Sequence, residues 1–419
     1  MMVFTSIYGV VDGFFVSNYV GKTQFAAVNF IFPLLMLLAS VGFMLGTGGS
    51  ALIAKTYGEG DKKKAQSIFS LIVYVSIICG VIISALGFIF IRPIAVWLGA
   101  EGEMLEYSII YGKILLVSLP ASILQFEFQS LFIAAEKPKL GLFATVGSGV
   151  ANMVLDLLLT AVFPFGIVGA ACATAISQCV GGIIPLVYFA LPNTSILRLG
   201  KAKLDFASLL RTVTNGSSEL MSNISMSFVS MLYNFQLLSY AGEDGISAYG
   251  VLMYVCFVFI SIFVGFSVGI SPVISYHYGA QNHDELKNLL KKSLIVIGVT
   301  SILMLILGEI LAAPLSKLYV GYDIKLYELT LRGFRIYCIS FLLSGISIFG
   351  SAFFTALNNG LVSALISFLR TLLFQSAAVI VLPIIFDIDG IWYSVVAAEM
   401  FAVTVTSAFL IGLRKKYKY

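Results

Sequence analysis

GTGGSALIAKTYGEGDKKKA, residues 46–65, and SPVISYHYGAQN, residues 271–282, share a Tyr-Gly step: Tyr57-Gly58 and Tyr278-Gly279 lie 221 positions apart. The same offset joins Tyr19 to Tyr240, Gly21 to Gly242, Gly48 to Gly269, Ser50 to Ser271 and Pro93 to Pro314. It continues through Gly112 and Gly333, Phe128 and Phe349, Phe132 and Phe353, and Gly169 and Gly390. One offset held from residue 19 to residue 390 marks an internal duplication. Each copy carries six long apolar segments. The first copy has them near 1–19, 25–56, 67–90, 107–134, 139–162 and 166–191. The second has them near 209–240, 246–278, 289–313, 327–357, 361–385 and 390–413. A polar linker, 192–208, therefore joins an N-terminal lobe at 1–191 to a C-terminal lobe at 209–419. Six is even, so both lobes insert in the same sense, related by a pseudo-two-fold axis along the membrane normal. Such a pair is built to rock around a central cavity. The offset also makes the first helix about a dozen residues shorter than its repeat partner, that is, N-terminally truncated.

Composition supplies the solvent. Of 419 residues, 59% are hydrophobic and 11% charged, against about 25% charged in a soluble domain. Mean hydropathy is +1.00. A spanning helix needs about 20 apolar residues, so the expected fold is an all-α membrane protein of twelve transmembrane helices. A soluble globular chain, a disordered chain and an outer-membrane barrel are excluded, the last because the apolar runs are long and do not alternate. Net charge is only +4 and the basic residues are scattered among loops, so no nucleic-acid partner is expected. Cys79, Cys172, Cys179, Cys256 and Cys338 all sit in apolar stretches without a CxxC and read as buried packing residues. The stretches after even-numbered helices, with the C-terminal tail, hold 17 of the 25 Lys and Arg residues. That bias places those loops and both termini in the cytoplasm of a cell whose plasma membrane the chain crosses repeatedly.

Ionisable side chains at membrane depth cost about 2.5–3.5 kcal/mol each even on the lenient scale, so they are the first functional candidates. Asp12 lies seven residues before the outer end of helix one, and Asp156 seven before Phe163 at the outer end of helix five. Thr174 lies eight residues into helix six from Gly166. All three share a depth of roughly 10–12 Å, and Asn152 is one turn from Asp156 on the same face. Two carboxylates, an amide and a hydroxyl make an oxygen-rich set that suits a proton or a sodium ion. At the equivalent positions the second copy has Tyr233, Leu373, Ala377 and Val395, so the set is particular to the N-terminal lobe. Glu219, near the midplane in helix seven, and Glu127, about 10 Å from the cytoplasmic end of helix four, are placed to attract a cationic substrate. Tyr233, Phe235 and Tyr249 would suit flat aromatic cations if they faced the cavity. No enzyme is expected. Gly21-Lys22-Thr23 ends like a phosphate-binding loop, but Val16 stands where that motif needs Gly. His277 and His283 lie at a cytoplasmic helix end, with no nucleophile constellation around them.

Five stretches together resemble the multidrug and toxic compound extrusion (MATE) transporters of bacterial multidrug efflux type. They are VDGFFVSNYVG (11–21), GTGGSALIAKTYGEGDKKKA (46–65), the Asn152…Asp156 pair followed by GIVGAACAT (166–174), NGSSEL (215–220) and SPVISYHYGAQN (271–282). The resemblance implies a cation-coupled antiporter that exports amphipathic organic cations by alternating access, with a proton or sodium as coupling ion and no cofactor. It implies a cation site at Asp12, Asn152, Asp156 and Thr174, with the Ala170 carbonyl as a further ligand and no other metal. It matches the family's seventh-helix acid to Glu219. The tenth-helix acid of some members has no match in SIFGSAFFTALN, residues 347–358. The partners it implies are small organic cations and the lipid bilayer, for a monomer. The alternative is a lipid-linked oligosaccharide flippase of the same superfamily, which would call for a basic cavity; the buried charges of the N-terminal lobe are acidic.

Overall fold

The computed structural model describes residues 1–20 and 22–419, with the side chains of 8–10, 13, 14, 17, 18, 22, 243 and 254 outside the described set. The paired Gly21 of the repeat therefore lies outside the described residues. Twelve long helices follow one another among the described residues, before a short turn of helix at Arg414–Tyr417. They are α1 (Met2–Tyr19), α2 (Lys22–Gly58), α3 (Lys62–Trp97), α4 (Gly102–Ala134), α5 (Pro138–Asp156, continued as Leu157–Val162) and α6 (Gly166–Ala190). After the linker, Phe206–Gly279 is broken at Gly242, whose φ of 63° no ordinary helix adopts, into α7 (206–241) and α8 (243–279). Then come α9 (His283–Val320), α10 (Ile324–Ile339 and Phe341–Ala356, bent by 47°), α11 (360–386) and α12 (388–412). The last two meet at Asp387, with φ 50°. The twelve-helix expectation is met. Eight helical stretches are long and apolar enough to cross a membrane, and the bent α10 makes a ninth; one stretch, 360–412, holds two helices.

The duplication is legible in local geometry. Asp61 caps α3 by accepting the Lys64 amide at 3.0 Å, and Asn282, 221 positions on, caps α9 by accepting the Glu285 amide at 3.2 Å. Each cap supplies a partner to one of the orphan amides of a helix start. The residue before each cap, Gly60 or Gln281, takes a positive φ. Phe128 and Phe132 are buried with ring centroids 6.1 Å apart, and Phe349 and Phe353 repeat that pairing at 5.8 Å.

The chain divides into two compact units, Met1–Gly216 and Ser217–Tyr419, so the boundary falls in the third turn of α7 rather than within 192–208. The reason is close packing: a Cβ on Gly48 of α2 would stand 2.7 Å from the Gly216 amide. The linker is held to its own unit. The Tyr74 hydroxyl donates to the Gly200 carbonyl at 3.1 Å, and the Gly200 and Lys203 amides donate to the Ser70 and Ser67 hydroxyls.

In the first unit α4 is buried along most of its length. Small residues let its neighbours approach, the usual way helices associate where lipid removes the hydrophobic drive. Gly42 and Gly46 of α2, one turn apart, lie against the α4 backbone at Ile123 and Glu127. Gly80 of α3 lies against Pro120, and Gly182 of α6 against Ala121. A Cβ at Gly46 would stand 2.8 Å from the Glu127 Cα. Gly46→Ala is therefore expected to lower stability by about 1–3 kcal/mol, read from equilibrium unfolding in detergent micelles. Outward, α3 presents Ile78, Ile82, Leu86 and Ile89, an apolar face suited to lipid. In the second unit Cys256 and Cys338 are buried, as expected, but Cys79, Cys172 and Cys179 are only partly so; all five are free thiols. Sequence alone could not assign those three a face on their helices.

Candidate functional site

Asp12 on α1, Tyr111 on α4, Asn152 and Asp156 on α5, and Thr174 on α6 converge inside the first unit. Asp156, Asn152 and Tyr111 are each no more than 1% exposed, and Asp12 and Thr174 are partly buried. The helices explain the convergence. α1 packs chiefly on α5, and α5 packs on α6. Asp156 sits where α5 widens into a π-helical turn, Leu157–Val162, in which the Phe163 amide reaches the Leu158 carbonyl at 2.7 Å. Such turns release a carbonyl from the regular ladder and are frequent at functional sites. Here the Thr160 hydroxyl donates to the Asp156 carbonyl at 2.6 Å.

The Asp12 carboxyl lies within reach of the Asp156, Asn152 and Thr174 side chains. Yet Asp12 Oδ1, Asn152 Oδ1 and both carboxyl oxygens of Asp156 have no hydrogen-bond donor. Ionised carboxylates only accept, so facing carboxylates close on each other only when a proton or another cation stands between them. None of the ion pairs among the described residues includes Asp12 or Asp156. Two buried negative charges without a counter-charge are too costly to persist, so the arrangement asks for one bound cation at least. The donor set, all oxygen and with two carboxylates, fits a single hard charge better than a transition metal.

Tyr111 was not singled out from the sequence. Its hydroxyl is within reach of Thr174 and close to both carboxylates. The signal that could have found it is the repeat, since Arg332 stands at the matching position. Tyr111→Phe keeps the buried ring. It is expected to preserve the fold while weakening cation binding at the carboxylate pair about tenfold, read from a proton or sodium titration of the purified protein.

Four expectations need correction. The Ala170 carbonyl is already occupied, by the helix and by the Thr174 hydroxyl at 3.1 Å, so it offers no free lone pair to an ion. Glu127 is fully buried between α2, α3 and α4, beside Gly46 and Ser76, with neither carboxyl oxygen bonded, and no substrate reaches it there. Tyr233 and Tyr249 are a stacked pair, 5.0 Å between centroids and 5° between planes, in the core of the second unit. The Tyr233 hydroxyl is bonded to Ser394 at 2.6 Å, so these rings pack the lobe and expose no face to a substrate. Glu219 is partly buried on α7, and Asn223 donates to its backbone carbonyl at 2.8 Å; no ion pair among the described residues includes it.

A duplicated six-helix lobe with two buried, unpaired carboxylates in one copy is the architecture of membrane transporters built from parallel repeats. Comparison with known proteins makes that specific. The MatE family model matches residues 1–158 and 220–380. Multidrug export proteins MepA of Staphylococcus haemolyticus and Staphylococcus aureus are each 25% identical, over 416 and 403 residues. Those matches cover 98% and 94% of this chain and 90% and 86% of theirs. A crystal structure of MATE in complex with MaL6 agrees with a TM-score of 0.93 at 22% identity, covering 100% of this chain and 93% of that one. A MOP superfamily transporter from Pyrococcus furiosus, described as having a binding pocket of reverse polarity, agrees at 0.91 and 22%, with coverage of 100% and 93%. At such identity the structures speak for the fold. The chain belongs to the MATE family of membrane transporters.

Proposed function

We propose that this protein is a multidrug exporter that couples inward movement of a proton or sodium ion to outward movement of amphipathic organic cations by alternating access. The observation that carries the reading is the unpartnered carboxylate pair, Asp12 and Asp156, present in one lobe of a duplicated fold. A cation bound between the two carboxylates removes their repulsion, ties α1 to α5, and biases the lobe toward one of its two states. Exchange of one monovalent ion for one monovalent organic cation moves no net charge, so the drive is the ion's own concentration gradient, about 1.4 kcal/mol for each tenfold step. Glu219, the one expected substrate-binding residue not committed to packing, is assigned the attraction of the cationic drug. The Lys/Arg bias supports a plasma-membrane protein with both termini in the cytoplasm. The names of the relatives, multidrug export proteins, support small-molecule cargo. A single chain holds the whole site, which supports action as a monomer.

The test is ethidium efflux from proteoliposomes under an imposed pH or sodium gradient. The reading expects efflux that rises with one of those gradients and collapses when it is dissipated. Efflux indifferent to both would exclude cation coupling.

A further inference from the structure

Below the carboxylate pair, the face of α5 turned into the lobe stays polar. Thr145, Ser148, Asn152 and Asp156 follow one another at helical spacing, and all are at most 5% exposed. Opposite them on α4 are Gln125 and Gln129, one turn apart, 5% and 3% exposed. The Gln125 amide nitrogen donates to the Ser148 hydroxyl at 3.2 Å, which donates to the Ser177 carbonyl at 2.7 Å. Gly181 of α6 makes room for the Gln125 side chain: a Cβ there would stand 2.6 Å from its amide carbon. Three polar atoms remain unbonded at nine-tenths burial or more, namely Gln125 Oε1 and both amide atoms of Gln129.

Those atoms border a cavity of about 10 Å³, lined by Gln125, Gln129, Thr145, Phe128, Phe132 and Gly141 among others. That is about the volume one water requires, and a buried water needs two to four polar partners, which the glutamine amides supply. Leaving three buried amide atoms dry would cost on the order of 1–3 kcal/mol each. The second lobe is the internal control. At the positions matching Gln125, Gln129, Thr145, Ser148 and Ser177 it has Ile346, Gly350, Ile366, Leu369 and Ala398. Its own hydroxyls between α10 and α11 satisfy one another, Ser351 with Ser363 and Ser367 at 2.9 Å and Thr355 with Ser363 at 2.7 Å. Folding the repeat thus requires no glutamine pair in that seam.

We propose that a water occupies this cavity and that the hydrated α4–α5 seam carries the coupling proton from the Asp12–Asp156 site toward the Pro138 end of α5. The proposal rests on that carboxylate pair being the coupling site, and it deepens the reading by choosing the proton. Each relay oxygen, of a water or of the Ser148 hydroxyl, takes a proton on a lone pair and releases its own, so it ends neutral. The carboxylate regains its charge and the proton passes to bulk water. The amides of Asn152, Gln125 and Gln129 exchange no proton; they hold the relay oxygens in line. Room for one water, with no carboxylate on the wall, does not admit a sodium ion with its coordination shell.

Gln129→Met, close in shape, tests the route. Proton-driven efflux and the accompanying proton flux are expected to fall about tenfold or more, while ethidium affinity in detergent stays within about twofold. Wild-type rates in Gln129→Met would overturn the proposal. A second measurement needs no variant: radiolytic hydroxyl labelling of the wild-type protein is expected to modify Phe128 or Phe132 through the trapped water, and absence of label on both would overturn it. Asp156→Asn separates the two readings. If that variant still exports, the coupling site itself fails; if it is inert while Gln129→Met is normal, only the route fails.

Discussion

Asp156→Asn is expected to bring gradient-driven ethidium efflux down about a hundredfold or more, toward the leak of protein-free vesicles, with the protein still folded and inserted. The amide has the shape of the carboxylic acid and carries no charge. On the proposed reading it mimics the cation-bound state permanently, so the pair that Asp156 forms with Asp12 no longer alternates between repelling and closed. Asp156 is 0% exposed and its carboxyl oxygens have no other partner to lose. The substitution therefore removes a buried charge without leaving another group unsatisfied, and stability is expected to hold or rise. Efflux at the wild-type rate would mean that the carboxylate is a packing residue.

How these residues were legible in the sequence has a physical reason. Asp12, Asn152, Asp156 and Thr174 stand out because a polar group at membrane depth is costly, and because helical rise converts residue counts into depth. The repeat adds a comparison inside one chain. Residues whose role depends on which way a side chain turns were not legible. Tyr111 is one of 20 tyrosines, and nothing in its neighbours along the chain says that its hydroxyl meets Thr174. Tyr233 and Tyr249 erred in the other direction: an aromatic ring in a helix looks alike whether it lines a cavity or, as here, stacks on a partner within the core. Hydropathy locates helices but not the faces they share. The breaks at Gly242 and Asp387 were anticipated only as short connections between helices, because an abrupt turn of one residue leaves almost no gap in an apolar pattern.

The second large effect concerns stability of the C-terminal lobe. Arg370, on the π-helical turn of α11, and Glu399 on α12 form a buried pair. The Arg370 Nε lies 2.9 and 3.1 Å from the two carboxyl oxygens, and the terminal nitrogen 2.7 Å from one of them. The side chains are 16% and 2% exposed. Arg370→Ala would leave the Glu399 carboxylate in the core without a counter-charge. It is expected to lower unfolding free energy by about 3–5 kcal/mol, whereas replacing both by Met is expected to be near neutral or stabilising. Equilibrium unfolding in mixed micelles reads both. A single variant as stable as the wild type would show that the pair is not what holds α11 to α12.

The ion itself can be counted. Purified protein in weakly buffered detergent solution is titrated with ethidium, while a pH-sensitive dye and a sodium electrode follow what is set free. The account predicts that drug binding expels a cation from the wild-type protein and that Asp12→Asn and Asp156→Asn each abolish the release. Equal release from wild type and both variants would place the exchanged ion elsewhere and contradict the assignment of these two carboxylates.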